Sequence, residues 1–517
     1  MLYKKTFLLL PAVLVIAFAV QACTAPQVVR KTTPPDSRYA RFVQTPQMIF
    51  KIHYKNGDLF VYDTLYTLTE KKDFYYGYGR RLDLNRQVTA KGKLAAYTDS
   101  ILLIETNQIM DDGPYTSLMF MTGISVAATI YCWSNPKACF GSCPTFYYDE
   151  GGTEHLIAES FSQSILPSLE REDIDAFRGI RPKTRDIRLV MKNESLETHA
   201  VKYARILAVP KEGKHIYSTP DGRFLKTEGE SLLSGMIHGE ECTDLFRYHD
   251  QQEYISLTDS ADLAVKEELI FTFQRNGMKS PGLVVTHRQS LLTTFLLYQT
   301  LAYMGNETGS WLTRLDGMTR SSDPVFKQLG SMIGEMEFFA EDGNGNWIPA
   351  GMLDETGPIA QEVKILPLPA AASGDEIRIK VRMTKGFWKL DQLKLADITG
   401  EAEPVVISPQ LVKNDRKELD ITDSFNNPGS YTVTLPGEYI SLYFRLPEDF
   451  TDYDYFLAAK GYYLEWIRSE WIQEENAAKV MQLIMRPEQY FKDLAPLYKA
   501  MEADMEETFR RSKYAAQ

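Results

Sequence analysis

The chain lacks an excess of positive charge, is poor in cysteine and histidine, and has few long uncharged apolar stretches. Its 57 lysines and arginines face 69 aspartates and glutamates, a formal net charge of −12. A chain-wide grip on nucleic acid needs clustered Lys and Arg against phosphate, and no such cluster occurs, so nucleic acid is not an expected partner. Five cysteines in 517 residues are too sparse for a fold stapled throughout by disulfides. The seven histidines are scattered, none in His-Glu-x-x-His spacing, so neither a metal nor a cofactor is expected. What remains is globular: 44% hydrophobic and 24% charged residues, at a length that implies about three or four domains.

The first apolar stretch is a targeting segment. Lys4 and Lys5 precede an uncharged run from Phe7 to Val20, which stops at Gln21-Ala22-Cys23. A basic start, a short apolar run and small residues at the cut define a secretory signal over residues 1–22, too short and wrongly flanked for a permanent span. The tetrapeptide Val20-Gln21-Ala22-Cys23 resembles the lipobox of bacterial lipoproteins, which implies cleavage before Cys23 and acylation of its thiol. Loss of Lys4 and Lys5 would take the formal charge from −12 to −14. Acyl chains bury methylenes at about 0.8 kcal/mol each, so the body needs no membrane-binding face of its own. Residues 23–47, with four prolines, read as an extended tether. With Thr24 after the cysteine and no acidic run, the resemblance favours the outer membrane, facing the periplasm.

Alternation of apolar and polar residues predicts a mainly β, multidomain (α+β) fold. A small β-domain is expected over 48–113, with Asn56-Gly57 as a hairpin turn and Gly77-Tyr78-Gly79 as another turn. Ser117 to Cys132, within an apolar segment 114–133, reads as a buried or partner-packed helix, with a membrane hairpin as the alternative. The middle region, 134–334, is β-rich, with strands at Ile187 to Met191, Val201 to Val209, Leu269 to Phe273 and Leu283 to Thr286. Leu169 to Asp175 reads there as a helical turn or solvated loop, and Leu291 to Tyr303 as a buried helix or long strand. Over 335–447 the pattern is a β-sandwich: Ile377, Ile379, Val381 and Met383 alternate with Arg378, Lys380, Arg382 and Thr384, and Tyr431 to Val433 pairs with Tyr439 to Phe444. This resembles a galactose-binding jelly-roll, a fold that often presents aromatics to sugars. Residues 448–517 form a helical tail, with Tyr462, Tyr463, Trp466 and Trp471 at helical spacing and breaks at Pro487 and Pro496.

The motif Cys139-Phe140-Gly141-Ser142-Cys143-Pro144-Thr145, with the segments HRQSLLTTFLLYQTLAYMG, RMTKGFWKLDQLKLA and GYYLEWIRSEW, resembles a family of uncharacterised bacterial lipoproteins carrying a CFGSCPT signature. The resemblance implies shared architecture over most of 48–517 and no catalytic residue.

Little nucleophilic or metal chemistry survives inspection. Once Cys23 is lipidated, Cys132, Cys139, Cys143 and Cys242 remain as disulfide candidates with three possible pairings; metal binding and a thiol pair are the alternatives. His238, Glu240, Glu241, Cys242, Asp244, His249 and Asp250 read as a polar loop before they read as a zinc site. Ser134-Asn135-Pro136-Lys137 has no Lys-Thr-Gly partner. Asp342-Gly343-Asn344-Gly345-Asn346 starts like a calcium loop, but Leu353 stands where a bidentate Glu is required, so it reads as a hairpin turn. Weak binding candidates are Trp388, Tyr462 and Trp466. The expected function is a membrane-tethered, non-enzymatic binding or scaffold lipoprotein for a glycan or an envelope protein; the alternative is an envelope enzyme, a hydrolase or thiol-dependent, with a site assembled from distant residues. Cys23→Ser is expected to move the protein from the membrane to the soluble fraction and to remove the acyl mass from its amino-terminal peptide in mass spectrometry.

Overall fold

The computed structural model describes residues 27–33, 50–54, 58–66, 74–82, 88–110, 144–194, 197–231, 234–237, 240–305, 308, 311–312, 330–354, 356–415, 418–434, 438–465 and 474–515. The fold is mainly β, with multiple sheets and few helices. Among the described residues no helix is long and apolar enough to cross a membrane.

The amino-terminal unit is a six-stranded antiparallel sheet in the order Gln27–Thr33, Ile101–Met110, Phe50–Tyr54, Leu59–Tyr66, Phe74–Leu82 and Val88–Tyr97. Phe50, Ile52, Phe60, Tyr62, Tyr75 and Ile104 form its core. Two expectations change here. The proposed tether supplies an edge strand, since Gln27–Thr33 pairs with Ile104 to Met110. Gly77-Tyr78-Gly79 lies within a strand, where Gly79 passes so close to its neighbour that an added Cβ would stand 2.2 Å from the Val61 carbonyl oxygen.

The second unit is a β-sandwich, but of residues 335–447 only those from Val405 onward take part in it; the strands before them belong to another sheet and a barrel. One sheet runs Leu419–Asp420, Leu411–Asn414, Tyr439–Arg445, Asp186–Lys192, Thr145–Glu150, Thr153–Glu159; the other runs Val405–Ile407, Glu197–Pro210, Tyr453–Glu465, Arg171–Ala176. Leu189, Met191 and Leu442 from the first face Ala204, Ile206 and Leu457 from the second. The sandwich is therefore built from two stretches, about 144–210 and 405–465, and residues between them form an insertion. Thr432–Thr434 pairs with Glu197–Pro210 and not with Tyr439–Arg445, so the expected hairpin is absent.

The insertion holds a closed five-stranded barrel, His215–Ser218, Phe224–Ser231, Trp388–Ala402, Pro281–Gln289 and Glu362–Pro367. Every residue of Pro281–Gln289 is buried, because one face lines the barrel lumen with Val284 and the other packs Leu283 and Val285 outward. That outer wall meets a second sheet, in which Ile377, Ile379, Val381 and Met383 are buried as their alternation predicts. The Asp342 segment is a hairpin turn, its carboxylate accepting from the backbone N–H groups of Asn344 and Asn346 at 2.8 Å.

Leu291–Met304 is a helix, capped by Ser290, whose hydroxyl accepts from the Leu292 N–H at 3.1 Å. The tail departs from expectation. Tyr462 and Tyr463 sit in the strand Tyr453–Glu465; among the described residues after it, helices run Ala477–Met485 and Pro487–Ala515, the second through Pro496. Tyr490, Phe491, Leu494 and Tyr498 close the insertion's core. Leu169 to Asp175 was expected as turn or loop; Arg171–Ala176 is an edge strand of the sandwich, with Asp175 buried. The signal segment 1–22, Cys23, the 114–133 segment, Cys132, Cys139, Cys143 and Trp466 lie outside the described residues.

The longest strand pair, Glu197–Pro210 with Tyr453–Glu465, needs glycine at Gly461: an added Cβ would lie 2.5 Å from the Ala200 carbonyl oxygen. Gly461→Ala is expected to destabilise the protein by about 1–3 kcal/mol, read as a lower urea midpoint.

Candidate functional site

The sandwich and the barrel meet along a seam. The strand Arg171–Ala176 ends there, and the chain turns through Phe177 to Pro182 across the end of the barrel. Polar contacts cross the seam. The Ile216 backbone N–H donates to Asp454 Oδ2 at 3.2 Å, and Lys364 Nζ donates to the Ile174 carbonyl at 2.6 Å.

A cleft of about 420 Å³ opens at this place, in the size range of small-ligand sites, and barrel mouths are a common place for them. Its cations are Arg178, Arg181, Lys211 and Lys394, and Asp454 is the one carboxylate among the lining residues. Phe177, Tyr217, Phe450, Tyr453 and Tyr455 supply aromatic wall. A local concentration of four cations in an acidic chain is the opposite of its average charge.

Sequence and register explain how these side chains converge. Along Trp388–Ala402, Leu393 and Leu395 point to the outer core while Ala396 packs in the lumen. Gln392 and Lys394 share the lumen side and stand at its mouth. Lys394 Nζ lies 5.7 Å from the Tyr217 ring centroid, a cation–π contact. On the next strand, Thr286 follows Val284 on the same side. Arg178 Nη2 donates to Thr286 Oγ1 at 3.1 Å, while its buried Nη1 has no hydrogen-bond partner. Burial pulls the Arg178 guanidinium down to about 10, opposed by the nearby Tyr217, Asp391 and Glu362; it stays cationic at neutral pH. Lys211 Nζ is 3.9 Å from Asp454 Oδ1. The Tyr455 hydroxyl donates to the Phe450 carbonyl at 2.7 Å, and the Phe177 and Tyr455 rings stand 6.1 Å apart. The aromatic wall is thus held in place before any ligand arrives.

A buried guanidinium with an unspent N–H, flanked by lysines and rings, suits a ligand with an anionic group and an apolar face. The sequence candidates are elsewhere. Trp388 is fully buried, tilted against His287 and edge-on to Phe387, and Tyr462 is buried against Tyr431; burial removes both from any ligand-facing surface. Cys242 is half-buried against the insertion's core, before the short helix Asp244–Arg247. Among the described residues no group of three His, Cys, Asp or Glu side chains is placed to hold a metal ion. The cleft's own signal in the sequence was the run Arg178-Gly179-Ile180-Arg181-Pro182-Lys183, a local knot of cations with turn residues.

No family model and no curated protein matches the chain. Among solved structures, a chain in the crystal structure of BuGH86wt in complex with neoagarooctaose is similar over 44% of this chain, at 8% identity and a TM-score of 0.16. This chain covers 33% of that one. A chain in the structure of infectious bursal disease virus Gx strain matches over 94% of this chain and 90% of its own length, at 8% identity and a TM-score of 0.13. At these scores neither bears on the fold or function of this chain.

Thr286→Val keeps the side-chain shape and removes the acceptor of Arg178. It is expected to cost about 1–3 kcal/mol by leaving a buried charged donor unpaired, and to cost less in an Arg178→Met background, a difference that a denaturant double-mutant cycle reads directly.

Proposed function

We propose that this protein is a lipid-anchored envelope lipoprotein, held at the outer membrane through Cys23 and facing the periplasm, whose cleft binds an acidic glycan without turning it over. The membrane is its partner through the lipid and the glycan is its partner through the cleft. The observation that carries this reading is the buried Arg178, with one N–H committed to Thr286 and another free, set beside lysines and aromatic walls. Sugars offer flat C–H faces to aromatic rings, and a uronic or otherwise acidic sugar adds the carboxylate that a guanidinium recognises. The surrounding chain is acidic, so anions are not drawn in at long range; recognition rests on contact inside the cleft. A protein partner is the second reading, but a cleft of about 420 Å³ fits a small ligand better than a flat protein face.

The test is isothermal titration calorimetry of the mature protein in detergent with oligogalacturonide, against the same oligomer fully methyl-esterified. Oligogalacturonide is expected to bind at least about tenfold more tightly, a difference of about 1.4 kcal/mol. Its affinity should fall with salt and in Arg178→Met and Lys211→Gln variants. Equal affinity for the two oligomers, or no heat from either, would overturn the reading.

A further inference from the structure

A second pocket, of about 280 Å³, lies along the same seam toward the start of the strand Arg171–Ala176. It gathers Asp173 from the sandwich and His287, Glu362 and Lys364 from the barrel. These residues are far apart in sequence, and register brings them together. His287 and Glu362 are direct cross-strand partners, and Lys364 pairs with Val285, two positions along on the same face.

Each group is held. Glu362 Oε1 accepts from the Thr356 hydroxyl, and Glu362 Oε2 stands 3.5 Å from Lys364 Nζ. Asp173 Oδ2 accepts from the Phe161 backbone N–H at 2.6 Å. Asp175, behind it, accepts from the Ser160 hydroxyl at 3.3 Å. His287 is 2% exposed, lines the pocket, and packs on Trp388 at 5.7 Å between ring centroids; its Nδ1 has no hydrogen-bond partner. A buried imidazole nitrogen without a partner is costly in a folded protein.

The environment drives the carboxyls apart. Burial, then the charge of Glu362, raises Asp173; burial, Glu362 and Asp173 raise Asp175 well above the ordinary range. Burial also opposes ionisation of Glu362, but Lys364, His287, the Thr356 hydroxyl and Arg171 outweigh it and hold this carboxyl below its usual value. Burial pushes His287 down to about 4, so it is neutral at pH 7. One carboxyl raised and another lowered beside one small pocket is the division of labour that acid–base catalysis uses.

We propose that this pocket is a hydrolytic site for a glycosidic bond, with Asp173 as general acid and Glu362 as general base. Acetal cleavage needs only such a pair and water. The water oxygen bonds to the anomeric carbon while Glu362 takes its proton. The bond to the leaving oxygen breaks, its electron pair stays on that oxygen, and Asp173 supplies the proton. Transfer of one proton from Glu362 to Asp173 through solvent then restores both groups, with no oxidant or reductant consumed. This goes beyond the binding cleft and does not depend on it.

The test uses the mature full-length protein in detergent and a panel of 4-nitrophenyl glycosides, the β-glucoside, β-galactoside, β-N-acetylglucosaminide and β-glucuronide, read by nitrophenol release. At least one is expected to turn over with a bell-shaped pH profile, failing on the acid side as Glu362 takes a proton and on the alkaline side as Asp173 loses one. Glu362→Gln and Asp173→Asn are each expected to lower the rate by at least about 100-fold with oligogalacturonide still bound. Should Asp173→Asn fail to fold, Glu362→Gln decides alone, by rate and by loss of the acid limb. No turnover of any panel member by the wild type, or a variant at the wild-type rate, overturns this site. Turnover without oligogalacturonide binding overturns the cleft reading and leaves this one standing.

Discussion

The pairing of Glu197–Pro210 with Tyr453–Glu465 is the interaction on which the rest of the described structure depends. It joins the two stretches that make the sandwich and so fixes where the insertion leaves and returns. Its inner face carries Ala204, Ile206, Leu457 and Ala459 into the sandwich core, while Leu207, Val209, Phe456 and Ala458 on the opposite face pack toward Phe224 and Ala402 of the barrel. A strand pair buried on both faces cannot slip by one residue without reversing every one of these contacts. The seam, and both pockets along it, inherit that rigidity.

Charge is distributed to match. The chain is acidic overall, yet the cleft collects cations and the neighbouring pocket collects carboxyls around Lys364 and Arg171. Both sets are partly withdrawn from water, where electrostatic contacts are stronger and unpaired groups cost more. Such arrangements are poor sources of stability, which is why perturbed groups beside a cavity point to ligands more than to folding. The two sites share strands but not residues: Ala176 and Val363 face the cleft, while Asp173, Glu362 and Lys364 face the smaller pocket.

Much of the fold was legible where one face of an element meets water. Ile377 to Met383 and Ile187 to Met191 alternate as half-buried strands should, and Leu291 to Tyr303 is uncharged as a buried helix should be. The reading failed where alternation vanishes. Tyr453–Glu465 is buried almost throughout, so its apolar residues mimic a helical spacing and Tyr462 and Tyr463 were assigned to the tail. Leu169 to Asp175 looked solvated because its acids are numerous, but Asp173 lines a pocket and Asp175 is buried at a seam that only the tertiary fold creates. The sandwich was misplaced: Ile377 to Met383 and Leu393 to Leu395, which carried that reading, lie in the insertion's sheet and barrel, since nothing local announces that a domain is interrupted. The site residues were less legible still: His287 and Glu362 are neighbours only through strand register, and Arg178 drew no reading, its one local sign being the short cationic run to Lys183.

The interruption of the sandwich also sets an order of events. Val209 cannot meet Asp454 until everything between them has been made. Contacts of such sequence separation close slowly, while the barrel and its outer sheet are comparatively local and can form first. Until Tyr453–Glu465 arrives, Glu197–Pro210 is an apolar strand with an open edge, of the kind that invites aggregation. The carboxyl-terminal stretch therefore acts as the closing clasp of the molecule, and truncations that remove it would leave the earlier half of the sandwich without its partner.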